Sequence, residues 1–338
     1  MSLFNIAILG ATGAVGEELL TVLQEREFPV GHLRLFASKR SAGEGIYWRD
    51  KEITVEDIET ADLEGVQIAF FSAGGDTSKR YAARFIQAGA VVIDNTSAFR
   101  MQPAVPLVVP EVNPDALESH KGIIANPNCS TIQLMAPLKA LHRLAGLKRV
   151  VCSTYQSSSG AGRRAMDELR DQAIRMLRFE DPPVKVFSRR LAFDVLPQIG
   201  SLEESGDTNE EEKMINESRK ILELPNLPVS ATCVRVPTFI GHCVSMNVEF
   251  EREFELGQAR FVLEEAEGVM MMLDDEWPTT ADVVGQDEVW VGRLRRDRSV
   301  SHGLNLWVAA DNLRKGAATN AVQIAEELIE RDLVRVSL

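Results

Sequence analysis

A two-domain α/β chain, a parallel sheet wrapped by helices followed by an α+β half on a mostly antiparallel sheet, is the architecture that three features predict. Short apolar strands alternate with helical runs through the first third of the chain. Three glycines, Gly10, Gly13 and Gly16, stand in the segment that follows the first strand and opens the first helix. Beyond about residue 148 the period changes: Val244, Met246, Val248 and Phe250 alternate with Ser245, Asn247 and Glu249, as in a sheet with one buried face.

Taken in order, Phe4–Leu9 is a short apolar strand and Val15–Arg26 a helix. Leu33–Ala37 and Val66–Phe71 are further strands, Lys79–Ala88 a helix, and Ala90–Ile93 another apolar strand. Gly122–Ala125 is the last strand of this half. It leads through Asn126-Pro127-Asn128 to Cys129-Ser130-Thr131 and a helical run with Ile132, Leu134, Met135 and Leu138 on one side. In the second half Val150–Tyr155, Thr232–Val236, Val244–Phe250, Val289–Arg295 and Leu304–Ala310 read as strands. Helices are expected near Arg163–Leu177 and Glu210–Leu222, and Ala317–Arg331 is a final helix able to return to the first domain. Phe179–Arg190, with two prolines, and the acidic stretch Leu202–Glu212 read as excursions.

The 338 residues suffice for about two domains with substantial cores. A net charge of −13, with no Lys/Arg-rich stretch to offset it, argues against nucleic acid or an anionic membrane as partner. Cys129, Cys152, Cys233 and Cys243 show no CxxC and no framework spacing. With no signal peptide to read, this implies free thiols in a reducing cytoplasm. His242-Cys243 and Cys233 offer no ligand quartet, so no metal is expected.

Chemistry concentrates at two places. Gly10-Ala11-Thr12-Gly13-Ala14-Val15-Gly16 permits a tight turn and close approach of a pyrophosphate to a helix N-terminus, the mark of a Rossmann-type nucleotide site. After the second strand the chain reads Ser38-Lys39-Arg40-Ser41, where an NAD-binder usually has an acid; two cations and two hydroxyls suit a 2′-phosphate and favour NADP. Ser72-Ala73-Gly74-Gly75 ends another strand at the same sheet edge and is expected to touch the cofactor. The second place is Cys129. A thiol at a helix N-terminus faces unpaired N–H groups and the positive end of the dipole, which favour the nucleophilic thiolate.

Further segments stand in a fixed order: GATGAVG, DNTSAFR, PLVVPEVNP, IANPNCSTIQ, TYQ, SGAG, AFDVLPQI, CVRVP and ADNLRKGAATNAVQIAE. Over almost its whole length the chain thereby resembles the aspartate-β-semialdehyde dehydrogenases. The resemblance implies a glyceraldehyde-phosphate-dehydrogenase-like fold, with residues 1–128 plus 313–338 as NADP-binding domain and 129–312 as catalytic and dimerisation domain. It implies NADPH-dependent reductive dephosphorylation of L-4-aspartyl phosphate to L-aspartate 4-semialdehyde by a homodimer, in lysine (through diaminopimelate), threonine and methionine biosynthesis.

The resemblance also implies roles. Cys129 attacks the acyl phosphate and carries a thioester, and Gln156 orients the acyl group. His242 is the acid/base partner, for which an imidazole titrating near neutrality is suited. Arg235 clamps the substrate carboxylate with two parallel bonds that Lys cannot reproduce. Glu210 meets the ammonium, although Glu211 and Glu212 beside it compete for that role. Arg100, Asn128 and Lys213 hold phosphate. Gly10, Thr12, Gly13, Ala14, Val15, Arg40, Ser41, Ser72, Gly74, Ser159, Gly160 and Asn320 contact the cofactor, Asn320 by closing over it. Ser157-Ser158 depart from the smaller or apolar residues expected after Gln156. The rival readings are an N-acetyl-γ-glutamyl-phosphate reductase and an inactive paralogue that only binds; a glyceraldehyde-phosphate-type dehydrogenase fits less well.

Overall fold

The structure, a computed structural model, describes residues 2–273 and 275–334. It divides into two compact units, Met1–Asn128 with Ala317–Leu338, and Cys129–Gly316.

The first unit opens with β1 (Phe4–Leu9), α1 (Ala14–Glu25), β2 (Val30–Ala37), β3 (Gly45–Trp48) and β4 (Lys51–Asp57). It continues with β5 (Ile68–Phe71), α2 (Gly75–Gln87), β6 (Val91–Asp94) and β7 (Ile123–Ala125). Among the described residues these strands form one seven-stranded sheet in the order β3-β4-β2-β1-β5-β6-β7. It is parallel except for the antiparallel β3–β4 hairpin, which the sequence reading leaves out. Short VVID and IAFF strands are buried throughout, as parallel strands covered on both faces must be. Because β1 lies between β2 and β5, the chain reverses direction across the sheet at the carboxyl end of β1, where open α/β sheets take their ligands.

The second unit contains α3 (Cys129–Ala145), β8 (Leu147–Gln156), α4 (Arg163–Leu177), α5 (Asn209–Ile221), β9 (Val229–Arg235) and β10 (His242–Phe250). After these come α6 (Leu256–Glu264), β11 (Val269–Met271), α7 (Thr280–Val283), β12 (Val289–Arg296) and β13 (Gly303–Ala310). The sheet order is β11-β12-β13-β10-β8-β9. Its interior pairs β12–β13, β13–β10 and β10–β8 are antiparallel, while the edge pairs β8–β9 and β11–β12 are parallel. Parallel pairing puts the carboxyl ends of β8 and β9 side by side, Gln156 opposite Arg235. The acidic stretch expected as an excursion becomes helical at Asn209, where Thr208 and Glu211 form a reciprocal capping box.

The chain returns to the first unit with α8 (Thr319–Glu330), whose Ala321, Val322, Ile324, Ala325 and Leu328 join Leu19, Val22 and Leu23 of α1 in one core. Contacts divide at Ala317 rather than at residue 313 because Asp311 and Arg314 are tied to the second unit. Asp311 accepts the Leu313, Arg314 and Gly285 amides, and Arg314 donates to Asp287. Among the described residues no helix is long and apolar enough to cross a membrane.

Candidate active site and nucleotide cleft

The first unit carries a cleft of about 650 Å³ lined by Gly10, Thr12, Gly13, Lys39, Arg40, Ser41 and Ser72 among others. Gly10 has φ +97°, and a Cβ there would lie 2.9 Å from the Ala73 nitrogen and the Ser72 hydroxyl. Only glycine lets these two turns approach so closely. Gly13 caps α1 and Gly74 caps α2, neither receiving a side-chain cap. Each helix therefore keeps N–H groups and dipole for an anion. Arg40 is exposed and Ser41 buried in the turn after β2, Ser41 donating its amide to the Ser38 carbonyl at 2.9 Å. Ala14 and Val15 begin α1. Asn320 lies elsewhere: fully buried on α8, it donates to the Val108 carbonyl at 3.0 Å and to Asn126 Oδ1 at 2.6 Å.

The second unit assembles the chemical residues from the ends of its elements. Cys129 is the first residue of α3, half-buried, with Gly316 packed so close that a Cβ there would sit 2.9 Å from the cysteine Cβ. Gln156 ends β8, Arg235 ends β9 and His242 begins β10; all three are buried. The Gln156 amide nitrogen donates to the Ser130 hydroxyl and, at 3.2 Å, to Glu210 Oε1. Both amide hydrogens are then engaged, and the carbonyl is what Gln156 can offer a ligand. Glu210 also holds Lys213 Nζ at 3.0 Å.

The competing carboxylates are accounted for. Glu211 accepts the Thr208 amide at 2.6 Å and the Cys233 amide at 2.8 Å, so it is a cap and strand tie. Glu212 accepts from Asn216 and Ser205. Of the three acids, Glu210 joins the Gln156 cluster.

Arg235 Nη1 donates to the Ser157 carbonyl at 2.7 Å, which holds the guanidinium plane. Burial pushes its pKa down while Cys129, Glu210 and Cys233 pull it up. A Cβ on Gly160 would lie 3.0 Å from Arg235 Nη1 and 3.2 Å from His242 Nε2, so both point at space that Gly160 leaves open. Ser159 lies in the same turn, bonded to Asn312.

His242 corrects one expectation. Its imidazole does not titrate near neutrality but is pushed down to about 3, first by burial and then by the Arg235 charge, against the Gly241 backbone and Glu210. Cys152, Cys233 and Cys243 are buried, and burial lifts Cys152 and Cys243 to about 12, which leaves them inert as nucleophiles. The expected phosphate group is divided between the units. Lys213 lies in the second; Arg100 and Asn128 lie buried in the first, Arg100 donating to the carbonyls of Asn126 and Asn95 at 2.9 and 2.7 Å.

Four residues escaped the sequence reading: Ser130, Ser157, Asn312 and Gly316. Asn312 and Gly316 stand inside ADNLRKGAATNAVQIAE, and Ser157 was visible only as a departure after Gln156.

Comparison with known proteins follows the same division. Residues 5–120 match the family described as "Semialdehyde dehydrogenase, NAD binding domain", and residues 138–315 match "Semialdehyde dehydrogenase, dimerisation domain". The aspartate-semialdehyde dehydrogenase of Aquifex aeolicus (strain VF5) is 50% identical, the match covering 98% of this chain and 99% of that one. The crystal structure of aspartate semialdehyde dehydrogenase II from Vibrio cholerae superposes with a TM-score of 0.96 at 48% identity, over 97% of this chain and 99% of that one. The same enzyme complexed with ASA gives a TM-score of 0.96 at 47% identity, over 98% and 99%.

Proposed function

The chain belongs to the aspartate-semialdehyde dehydrogenase family, and from that premise we propose that it is an NADP-dependent, phosphorylating aspartate-semialdehyde dehydrogenase. It converts L-4-aspartyl phosphate to L-aspartate 4-semialdehyde, or the reverse, in the route to lysine, threonine and methionine. It works as a cytoplasmic homodimer paired through its second unit.

The observation that carries this reading is the convergence on one point of Arg235 Nη1 and His242 Nε2, 3.0 and 3.2 Å from where a Gly160 Cβ would lie, together with Cys129 at the head of α3. Cys129 Sγ attacks the acyl carbon, the C–O bond to phosphate breaks, and a thioester remains on the enzyme. Arg235 binds the substrate carboxylate in a charge-assisted, planar contact. Glu210, beside Gln156, receives the ammonium, and the Gln156 carbonyl fixes the acyl group on the same side. Lys213, Arg100 and Asn128 hold phosphate.

The cleft of the first unit fits a dinucleotide: the Gly10 turn leaves no room for a Cβ, and the ends of α1 and α2 are uncapped. The bound cofactor supplies the hydride that reduces the thioester. Lys39, Arg40 and Ser41 receive the 2′-phosphate, while Thr12, Gly13 and Ser72 line the path of the pyrophosphate. Ser159 and Gly160 approach the nicotinamide.

The test is an assay of NADP reduction with and without inorganic phosphate on three aldehydes. L-Aspartate semialdehyde is expected to be oxidised through repeated turnovers only when phosphate is present. Activity confined to N-acetylglutamate semialdehyde or to glyceraldehyde 3-phosphate would move the chain to a rival reductase, and NADP binding without turnover would make it a binding protein.

A further inference from the structure

Arg100 rests on two main-chain carbonyls. Its Nε donates to the Asn126 carbonyl at 2.9 Å and its Nη2 to the Asn95 carbonyl at 2.7 Å. These N–H groups belong to one rigid planar fork, so the spacing of the two carbonyls sets where the guanidinium lies and how it is tilted. Asn95 is the first residue beyond β6 and Asn126 the first beyond β7, at the carboxyl edge where parallel sheets take their ligands. The last residues of those strands, Asp94 and Ala125, are in register, and the Asn126 amide donates to the Asp94 carbonyl at 2.8 Å.

Past the strand ends, side-chain amides take over from the ladder. Asn126 Nδ2 donates to Asn95 Oδ1 at 2.8 Å, a clasp between the same two residues that support Arg100. Main-chain carbonyls, which can only accept, fix the direction of this bond. Asn126 Nδ2 also donates to the Ala317 carbonyl at 3.2 Å, and Asn95 Nδ2 to the Phe71 carbonyl at 3.1 Å, so both nitrogens are identified. Asn320 Nδ2 donates to the Val108 carbonyl at 3.0 Å and to Asn126 Oδ1 at 2.6 Å. The amides therefore run one way, from Asn320 through Asn126 and Asn95 to the end of β5. Asn126 and Asn320 are buried, where an amide that lost its partner would stay desolvated, so the series is stiff.

The loop from Asn95 to Arg100 is held from behind as well. The Asp94 carboxylate accepts the Thr96 amide at 3.0 Å and the Thr96 and Ser78 hydroxyls, both at 2.9 Å. Thr96 Oγ1 in turn accepts the Ala98 amide at 3.2 Å.

We infer that Asn95 and Asn126 are positioning residues whose side-chain clasp sets the spacing of the two carbonyls under Arg100, and thereby aims that arginine at phosphate. This rests on the reading of Arg100 as a phosphate ligand.

In the oxidative direction phosphate enters at one step. Hydride leaves first for the cofactor and a thioester remains on Cys129. A phosphate oxygen then bonds to the acyl carbon, the C–S bond breaks, and the electron pair departs with the thiolate. The clasp therefore acts on the second step and has little to do with the first.

The test compares wild type, Asn95→Ala, Asn126→Ala, the double variant and Arg100→Lys, with L-aspartate semialdehyde, NADP and inorganic phosphate. Each alanine variant should raise the KM for phosphate by about 10-fold while the KM for NADP moves by less than about 2-fold. In stopped flow each should slow the phosphate-driven discharge of the acyl-enzyme more than it slows the NADPH burst. The double variant should be no worse than Asn126→Ala, because either substitution opens the same clasp.

Equal slowing of burst and discharge, or losses that multiply in the double variant, would show the two asparagines to be merely structural and overturn the inference. If Asn126→Ala does not fold, Asn95→Ala decides alone, since it opens the clasp and leaves Asn126 its bonds to Ala317 and Asn320. Arg100→Lys separates the two readings. An unmoved KM for phosphate in that variant would remove Arg100 from phosphate binding, whereas a raised KM there beside unaffected asparagine variants would remove only the clasp.

Discussion

The two units build their sites from different materials. The cleft of the first unit is mainly backbone: a glycine turn at φ +97°, two helix N-termini without side-chain caps, and exposed cations beside them. The site of the second unit is mainly side chain, and most of its polar atoms are tied to one another: Ser130, Gln156, Glu210 and Lys213 in one series, Asn312, Ser157 and His242 in another. A backbone site tolerates change at its exposed side chains. A buried side-chain network does not, because each lost partner leaves a desolvated group behind.

The largest expected contrast comes from Cys129→Ala, which should lower turnover by about 10⁴-fold or more while NADP affinity, measured by fluorescence titration, stays within error. A comparable loss of NADP binding would break the division between the units.

Next is the pH dependence of stability. His242 is held near 3 in the folded protein, below its ordinary 6.5. The unfolded chain therefore binds the extra proton between these values, and stability falls as pH drops from about 6.5 toward about 3, by on the order of several kcal/mol. Above that window the group contributes no slope. Denaturant unfolding of wild type and His242→Gln isolates this contribution, and parallel curves would contradict the burial argument.

Arg235→Lys should lose ~2 kcal/mol of transition-state binding, read from kcat/KM, because an ammonium cannot reproduce the planar clamp. Smallest of all, Arg40→Ala should weaken NADP binding by about 10-fold and leave NAD binding unchanged, as removal of one exposed phosphate contact allows. Equal effects on both dinucleotides would take Arg40 away from the 2′-phosphate.

This division also governs what the amino-acid sequence reveals. Gly10, Gly13 and Cys129 are legible because each acts through the element it begins or ends, and strand–turn–helix order is written locally. The β3–β4 hairpin is not legible: its turn residues Arg49 and Asp50 take φ of 45° and 62°, where Asn-Gly would have announced it. Glu210 and Glu211 cannot be told apart in an acidic run; only the capping box formed with Thr208 separates them. Ser157 and Asn312 meet across 155 positions of chain, so their hydrogen bond beside His242 appears only in three dimensions.

The most direct test is a single-turnover experiment in phosphate-free buffer. Mixing protein with L-aspartate semialdehyde and NADP should give a burst of one NADPH per subunit and an acyl group on the Cys129 peptide by mass spectrometry, discharged when phosphate is added. Continuous turnover without phosphate, or a burst with Cys129 unmodified, would contradict the thioester route.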